Sequence, residues 1–178
     1  MRDLSKFDAS AYVRGRSKIW QALWFGFSFL IFQKFWFPNR LRSASLRLFG
    51  AKVGDNVFIR HDVRIMWPWK LELGNNCWLG EGSRVINLEQ ISLGNNVCIS
   101  QEAMLCAGSH DHKKVDFPYR NAPIAIADGA WIAARATVLP GVTIGTQSVV
   151  AAQEIARTDV PANKMLINGA LRDIPEPA

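Results

Sequence analysis
The chain has 178 residues, the size of one domain or of one domain with an appendage, which excludes a large modular machine. Apolar types make up 49% and charged types 20%, too apolar for a disordered chain, while 13 Gly and 8 Pro argue against a simple helical bundle. The formal charge of +6 is unevenly placed: residues 1–50 hold nine Lys or Arg against two Asp, net +7, and residues 51–178 hold twelve basic against thirteen acidic residues, net −1.

The basic N-terminal segment also carries Trp20, Trp24, Trp36 and eight of the ten Phe. Basic charge mixed with large aromatics suits an anionic membrane surface better than a nucleic-acid groove, so membrane contact is expected and nucleic acid is not. From Ile19 to Phe37 the run IWQALWFGFSFLIFQKFWF predicts one helix, apolar nearly all round and of borderline length for a span. Arginines and lysines flank it on both sides, which favours an element lying at the cytoplasmic face of the membrane over one crossing it; burial against the chain's own oligomer is the alternative. Pro38 stops this helix. A second is expected over Arg40–Phe49, presenting Leu41, Ala44 and Leu48 on one face and stopped by Gly50.

After Gly50 a period of six takes over. Val53, Ile59, Ile65, Leu71; Leu73, Leu79, Val85, Ile91; Leu93, Ile99, Leu105; and Ile126, Ile132, Val138, Ile144, Val150 are all Val, Ile or Leu, although those types are only 41 of the 178 residues. A small or β-branched residue often follows four places later, and turn formers such as Gly54-Asp55-Asn56 and Gly74-Asn75-Asn76 supply corners by tolerating left-handed backbone. Neither a helix nor an alternating strand has this period; short strands wound as a three-sided coil of about eighteen residues do. The expectation is an all-β domain, a parallel β-helix of about five coils over residues 51–165, with the helical segment 1–50 before it and a C-terminal tail, 166–178, after it. The series breaks between Leu105 and Ile126, so residues 111–125 are expected to loop out. Three cysteines, Cys77, Cys98 and Cys106, lack CxxC spacing, which fits a reducing compartment.

The hexapeptides VGDNVF, LGNNCW, LGNNVC, IADGAW, VLPGVT and IGTQSV resemble those of the left-handed β-helix acyltransferases. The left hand is implied by that resemblance, since ordinary crossovers take the opposite hand. The stretches RLFGAKVG, PWKLELGNNCWLG, CAGSHDH and LPGVTIG are similar, more narrowly, to the colanic-acid-type exopolysaccharide O-acetyltransferases. The resemblance implies acetyl-CoA as co-substrate, a homotrimer, and a polymeric or lipid-linked carbohydrate acceptor, to which the basic, aromatic N-terminal segment would bring the chain at the inner face of the cytoplasmic membrane.

The resemblance also makes His110, at the root of the expected loop, the catalytic base: it accepts the proton of a sugar hydroxyl as that oxygen attacks the thioester, a role that histidine chemistry serves near neutral pH. Asp111 and Glu81, the latter one coil below, are candidate orienters, with solvated corner residues the alternative for both. Adjacent residues of an extended chain point to opposite sides, so Ser109-His110-Asp111 is not read as a triad. His112 is placed near the acceptor. Trp67 and Trp69 either stack on a sugar or seal the first coil against the helices. For acetyl-CoA the family places the groove between adjacent prisms, where Trp131, Ala133, Ala134, Gly141, Ala151 and Ala152 permit close approach, small residues that serve the tight coil alone being the alternative, with Arg157 and Arg172 available to phosphate. No metal is expected. A competing reading takes His110 and His112 as zinc ligands in a carbonic-anhydrase-like β-helix, though the H-x-H spacing and a distant His61 fit it poorly. A transferase acting on a soluble sugar or amine, and a trimeric scaffold without catalysis, are also compatible with the repeat.

Overall fold
The structure is a computed structural model and describes residues 2–10 and 12–174. From Lys52 onward the chain winds into a left-handed β-helix of five complete coils and the start of a sixth. Its first sheet stacks Lys52–Val53, Leu71–Leu73, Ile91–Leu93, Ile124–Ile126 and Thr143–Ile144, all parallel. The second stacks Phe58–Ile59, Trp78–Leu79, Cys98–Ile99, Trp131–Ile132, Val149–Val150 and Lys164–Ile167, and Ala170–Asp173 closes it as an antiparallel hairpin. The third stacks Arg64–Ile65, Arg84–Ile86, Met104–Cys106, Thr137–Val138 and Ile155–Ala156. The stretch from 166, expected as a tail, thus ends the second sheet; residues 175–178 lie outside the described residues.

Fifteen of the sixteen periodic aliphatics are buried, and Val53, at the first coil, is partly so. Ile59, Leu79, Ile99, Ile132 and Val150 form a column of 0% exposure, each contributing about 1.5–3 kcal/mol by leaving water. The series steps by two, not six, from Leu71 to Leu73 and from Ile91 to Leu93; these are three-residue strands in which both end residues point inward. The small-residue slots are buried as expected except Ser109, which is exposed.

The corners take left-handed backbone within the expected turn-forming groups, at their last residues, Asn56, Asn76 and Asn96 (φ 54 to 57), and also at Asp62, Gly82, Glu102, Arg135 and Gln153 at the next corner. Gly74 is required by close approach: a Cβ there would sit 2.4 Å from the Gly94 carbonyl oxygen of the coil above. Asparagine side chains tie the coils along this edge, with Asp55 N–H donating to Asn75 Oδ1 at 2.8 Å and Asn75 N–H to Asn95 Oδ1 at 2.9 Å.

The N-terminal run is continuously helical from Lys18 to Phe32 and falls short of the expected Phe37. α1, Lys18–Phe27, is capped by the Ser17 hydroxyl, widens into a π-helical turn over Ser28–Phe32 and ends before Pro38, where α2, Asn39–Leu48, begins. Among the described residues no helix is long and apolar enough to cross a membrane. Trp24 and Phe32 are fully buried and share one hydrophobic cluster with Leu46, Phe49 and the coil interior.

α2 turns the opposite way from the sequence expectation. Leu41, Ala44 and Leu48 face solvent, while Arg42, Ser43 and Leu46 face the body. The reason is hydrogen bonding: the Arg42 guanidinium donates to the Phe32, Ile59 and Lys34 carbonyls at 3.0, 3.4 and 2.6 Å, closing the carbonyl-rich end of the π-turn, where a cation is favoured. Burial lowers its pKa from the usual arginine value. Gly50, at φ +96, ends α2 as expected, and Ala51 N–H donates back to Leu46 O in a Schellman closure.

Candidate active site
The third corner, between the third and first sheets, absorbs every interruption of the repeat. The chain leaves it after Cys106 and rejoins the first sheet at Ile124, two residues before the expected Ile126. The excursion is a tight double-backed arm: Arg120 N–H donates to Ser109 O at 2.7 Å, Asp111 N–H to Pro118 O at 2.9 Å and Ala122 N–H to Ala107 O at 3.1 Å. His110 and Tyr119 form an isolated antiparallel bridge within it.

His110 stands on this arm, outside the prism and half-buried. Its Nδ1 lies 2.9 Å from the Phe117 carbonyl oxygen. A carbonyl can only accept, so in the neutral ring Nδ1 carries the proton and Nε2 keeps its lone pair, the tautomer a general base acting through Nε2 requires. Phe117 stacks on the imidazole with centroids 4.4 Å apart and planes 2° apart, and Tyr119 lies at 4.8 Å. Phe117 itself holds φ +48, a left-handed conformation rare for a bulky residue and of the kind that clusters at functional sites.

Neither expected orienter touches the imidazole. Glu81 lies on the corner between the second and third sheets, where it meets His61 Nε2 at 3.2 Å and Arg60 at 3.7 Å. Asp111 uses its carboxylate to accept the Lys113 N–H at 3.0 Å and so shapes the arm. The hydrogen-bond partner of the imidazole is instead the backbone carbonyl of Phe117, which no side-chain motif could reveal. His112 is exposed on the same arm.

Trp67 and Trp69 turn toward the N-terminal segment. Trp67 is 4% exposed, donates its indole N–H to Tyr12 Oη at 3.0 Å and stacks on Trp69 at 5.0 Å; Trp69 donates to Arg14 O at 2.6 Å. Both indoles seal the first coil against the N-terminal segment. Below the arm, the buried Asn87 amide donates to Trp67 O and Lys70 O and accepts the Trp67 N–H.

The residues expected at acetyl-CoA fall on two edges of the prism. Trp131, half-exposed with its indole N–H on Ser100 Oγ at 2.8 Å, lies on the second sheet, and Ala133, Ala134, Ala151 and Ala152 stack on the corner that follows. Gly141 and Arg157 stand instead on the corner of the His110 arm, where Gly141 N–H donates to Pro123 O at 3.0 Å. Arg172 is exposed on the final hairpin. The third sheet lies between these two edges. Burial pushes the Cys77 and Cys98 thiols up, which keeps them protonated and unreactive.

Left-handed triangular coils built from a period of six, with an imidazole on an arm extruded from one corner, define the hexapeptide-repeat β-helix of acyltransferases. No family model matches the chain. It is 42% identical over 166 residues, 92% of this chain and 90% of the relative, to the Escherichia coli (strain K12) protein that goes by the name of colanic acid biosynthesis acetyltransferase WcaF. The fold matches a hexapeptide-repeat acetyltransferase of Vibrio cholerae, VCA0836, with TM-score 0.79, 21% identity and coverage of 97% of this chain and 96% of that one; the same protein is known complexed with acetyl coenzyme A. A galactoside acetyltransferase in complex with coenzyme A matches with TM-score 0.79 at 22% identity, over 89% of this chain and 80% of that one. The chain belongs to the hexapeptide-repeat acetyltransferases, within the colanic acid biosynthesis acetyltransferase group.

Proposed function
We propose that this acetyltransferase moves the acetyl group of acetyl-CoA to a sugar hydroxyl of a polysaccharide or lipid-linked oligosaccharide precursor, with His110 as general base. The observation that carries this reading is the Nδ1 contact to the Phe117 carbonyl, which leaves Nε2 as acceptor at the mouth of the arm. Nε2 takes the hydroxyl proton as the sugar oxygen attacks the thioester carbon; the tetrahedral intermediate collapses with C–S cleavage, and the imidazolium returns the proton to the departing CoA thiolate. The acceptor class is supported by the name of the 42% identical relative, and the donor by the fold relatives solved with coenzyme A or its acetyl thioester.

A homotrimer accounts for the split site. Outward residues of the third sheet include Ile86, Met104, Cys106 and Ile155, an apolar strip between the two edges, with Thr137 beside it and Arg64 and Arg84 on the first two coils. Three prisms with these strips inward set the His110 corner of one subunit beside the Trp131 and alanine corner of the next, which unites base and acetyl-CoA groove. Incubation with labelled acetyl-CoA and a set of lipid-linked and free saccharides tests the reaction: label appearing on a sugar hydroxyl is expected, and none on any saccharide overturns it.

The helical cap would bring the enzyme to the inner face of the cytoplasmic membrane. Ile19, Leu23, Phe29, Leu30, Phe35 and Trp36 are all at least half-exposed, and the Lys34 ammonium lies 4.9 Å from the Phe29 ring centroid; apolar side chains beside cations are the pattern of an interfacial helix. The combined Leu23→Gln, Phe29→Gln and Leu30→Gln variant is expected to lose about tenfold of its binding to anionic vesicles while melting as the parent does. Unchanged cosedimentation counts against the membrane reading, and conversion to a monomer assigns the face to subunit contact instead.

A further inference from the structure
The N-terminal segment has the composition of a membrane element, yet its first residues pack against the His110 arm. Phe7 sets its ring 5.4 Å from the His110 imidazole at 61° and 5.2 Å from Tyr119 at 77°, edge-on to both. Arg2 lies over the Phe117 ring at 4.9 Å, and Asp3 N–H donates to Val115 O at 2.9 Å at the tip of the arm. Leu4–Lys6 make one 3-10 turn, capped by the Asp3 carboxylate accepting from Ser5 N–H.

The other end of this strap is fastened to the prism. Tyr12 stands 5.2 Å from Tyr119, donates its hydroxyl to Leu88 O at 2.8 Å and accepts the Trp67 indole N–H at 3.0 Å. Burial pushes the Tyr12 hydroxyl up to about 12, so it remains a neutral donor throughout the physiological range. Lys70 Nζ donates to Val13 O at 3.1 Å and Trp69 to Arg14 O. The strap is therefore tied at the arm's tip and at the sealed first coil, with Phe7 between the ties.

We propose that Phe7 is a positioning residue: it buttresses the imidazole of His110 so that Nδ1–H stays on the Phe117 carbonyl and Nε2 stays aimed at the acceptor. The arm alone is a surface excursion, and side chains on such elements reorient readily unless packing locks them. Phe117, Tyr119 and Phe7 supply that packing, and edge-to-face geometry gives it direction as well as area. Small displacements of a base cost rate steeply, because proton transfer needs hydrogen-bond contact in the transition state. Phe7 touches no reacting atom; it acts through His110, and the inference rests on His110 being the base.

The test compares Phe7→Ala, Phe7→Tyr and His110→Ala in the full chain. Phe7→Ala is expected to lower kcat about tenfold with KM for acetyl-CoA unchanged within about twofold, and Phe7→Tyr, which keeps the ring, to restore it. Imidazole 15N shifts of His110 are expected to report the Nδ1–H tautomer in the parent and a mixture of tautomers in Phe7→Ala. Parental kcat and an unchanged tautomer in Phe7→Ala overturn the inference. Should Phe7→Ala melt early, Phe7→Leu keeps the apolar bulk and is read the same way: a mixed tautomer supports the inference, and the parental tautomer overturns it. His110→Ala separates the two ideas, since an active His110→Ala removes the base reading, while the 15N spectrum still decides whether the strap orients the ring.

Discussion
His110→Ala is expected to lower acetyl transfer by at least about 100-fold, equivalent to roughly 2.7 kcal/mol of transition-state stabilisation. The side chain lies outside the prism on an arm whose shape comes from backbone hydrogen bonds and the Asp111 turn. Its loss therefore leaves the coils unchanged, and far-ultraviolet circular dichroism and the melting temperature should match the parent. Steady-state kinetics with labelled acetyl-CoA measures the effect. His110→Asn sharpens it, because an amide can still donate to the Phe117 carbonyl while offering no basic nitrogen. Equal loss in both variants assigns the effect to the base, whereas a rate above about a tenth of the parent in His110→Asn means that orientation of the arm was all the imidazole supplied.

Trp24→Ala is expected to cost about 3–5 kcal/mol, the usual range for removing a buried indole. Trp24 is 0% exposed, packs on Phe32 and Phe49 at 5.4 and 5.0 Å, and donates its N–H to Ile65 O at 3.0 Å, so α1 is bound to the third sheet of the first coil. For a chain of this size the loss corresponds to a melting shift of about 10 °C. Trp24→Phe keeps most of the contact and forfeits only the hydrogen bond, about 1–2 kcal/mol. Calorimetry should show one transition that moves as a whole, since cap and coils share one hydrophobic cluster. A shift of Trp24→Ala below about 2 °C would sink the claim that the cap is integral. The same reasoning makes deletion of residues 1–38 a poor probe of membrane contact, because it removes Trp24 and Phe32 from the core and Phe7 from His110.

The coil was legible because each of its strands meets only its neighbours above and below, so the inward position recurs every six residues and the repeat spells it out. The extruded arm was legible for the complementary reason, as a gap in that series. In α2 the periodic leucines point to an inward apolar face, whereas the carbonyls that end the π-turn draw Arg42 inward and rotate the helix. Glu81 meets His61 and not His110 within the chain, because the corner it occupies, apart from that of the arm, is set by the winding of the coil.

From the amino-acid order alone came the three-sided winding, the place of the arm and the one histidine at its root, since all three depend on interactions local in the repeat. Only the tertiary structure decided what holds that histidine, because Phe117 contributes a backbone carbonyl and Phe7 reaches it from about a hundred positions earlier. It likewise decided that Trp67 and Trp69 donate their indole N–H groups to the strap. Such contacts are selected by packing between segments far apart in the chain, where residue type states what can bind but not which partner the fold will bring.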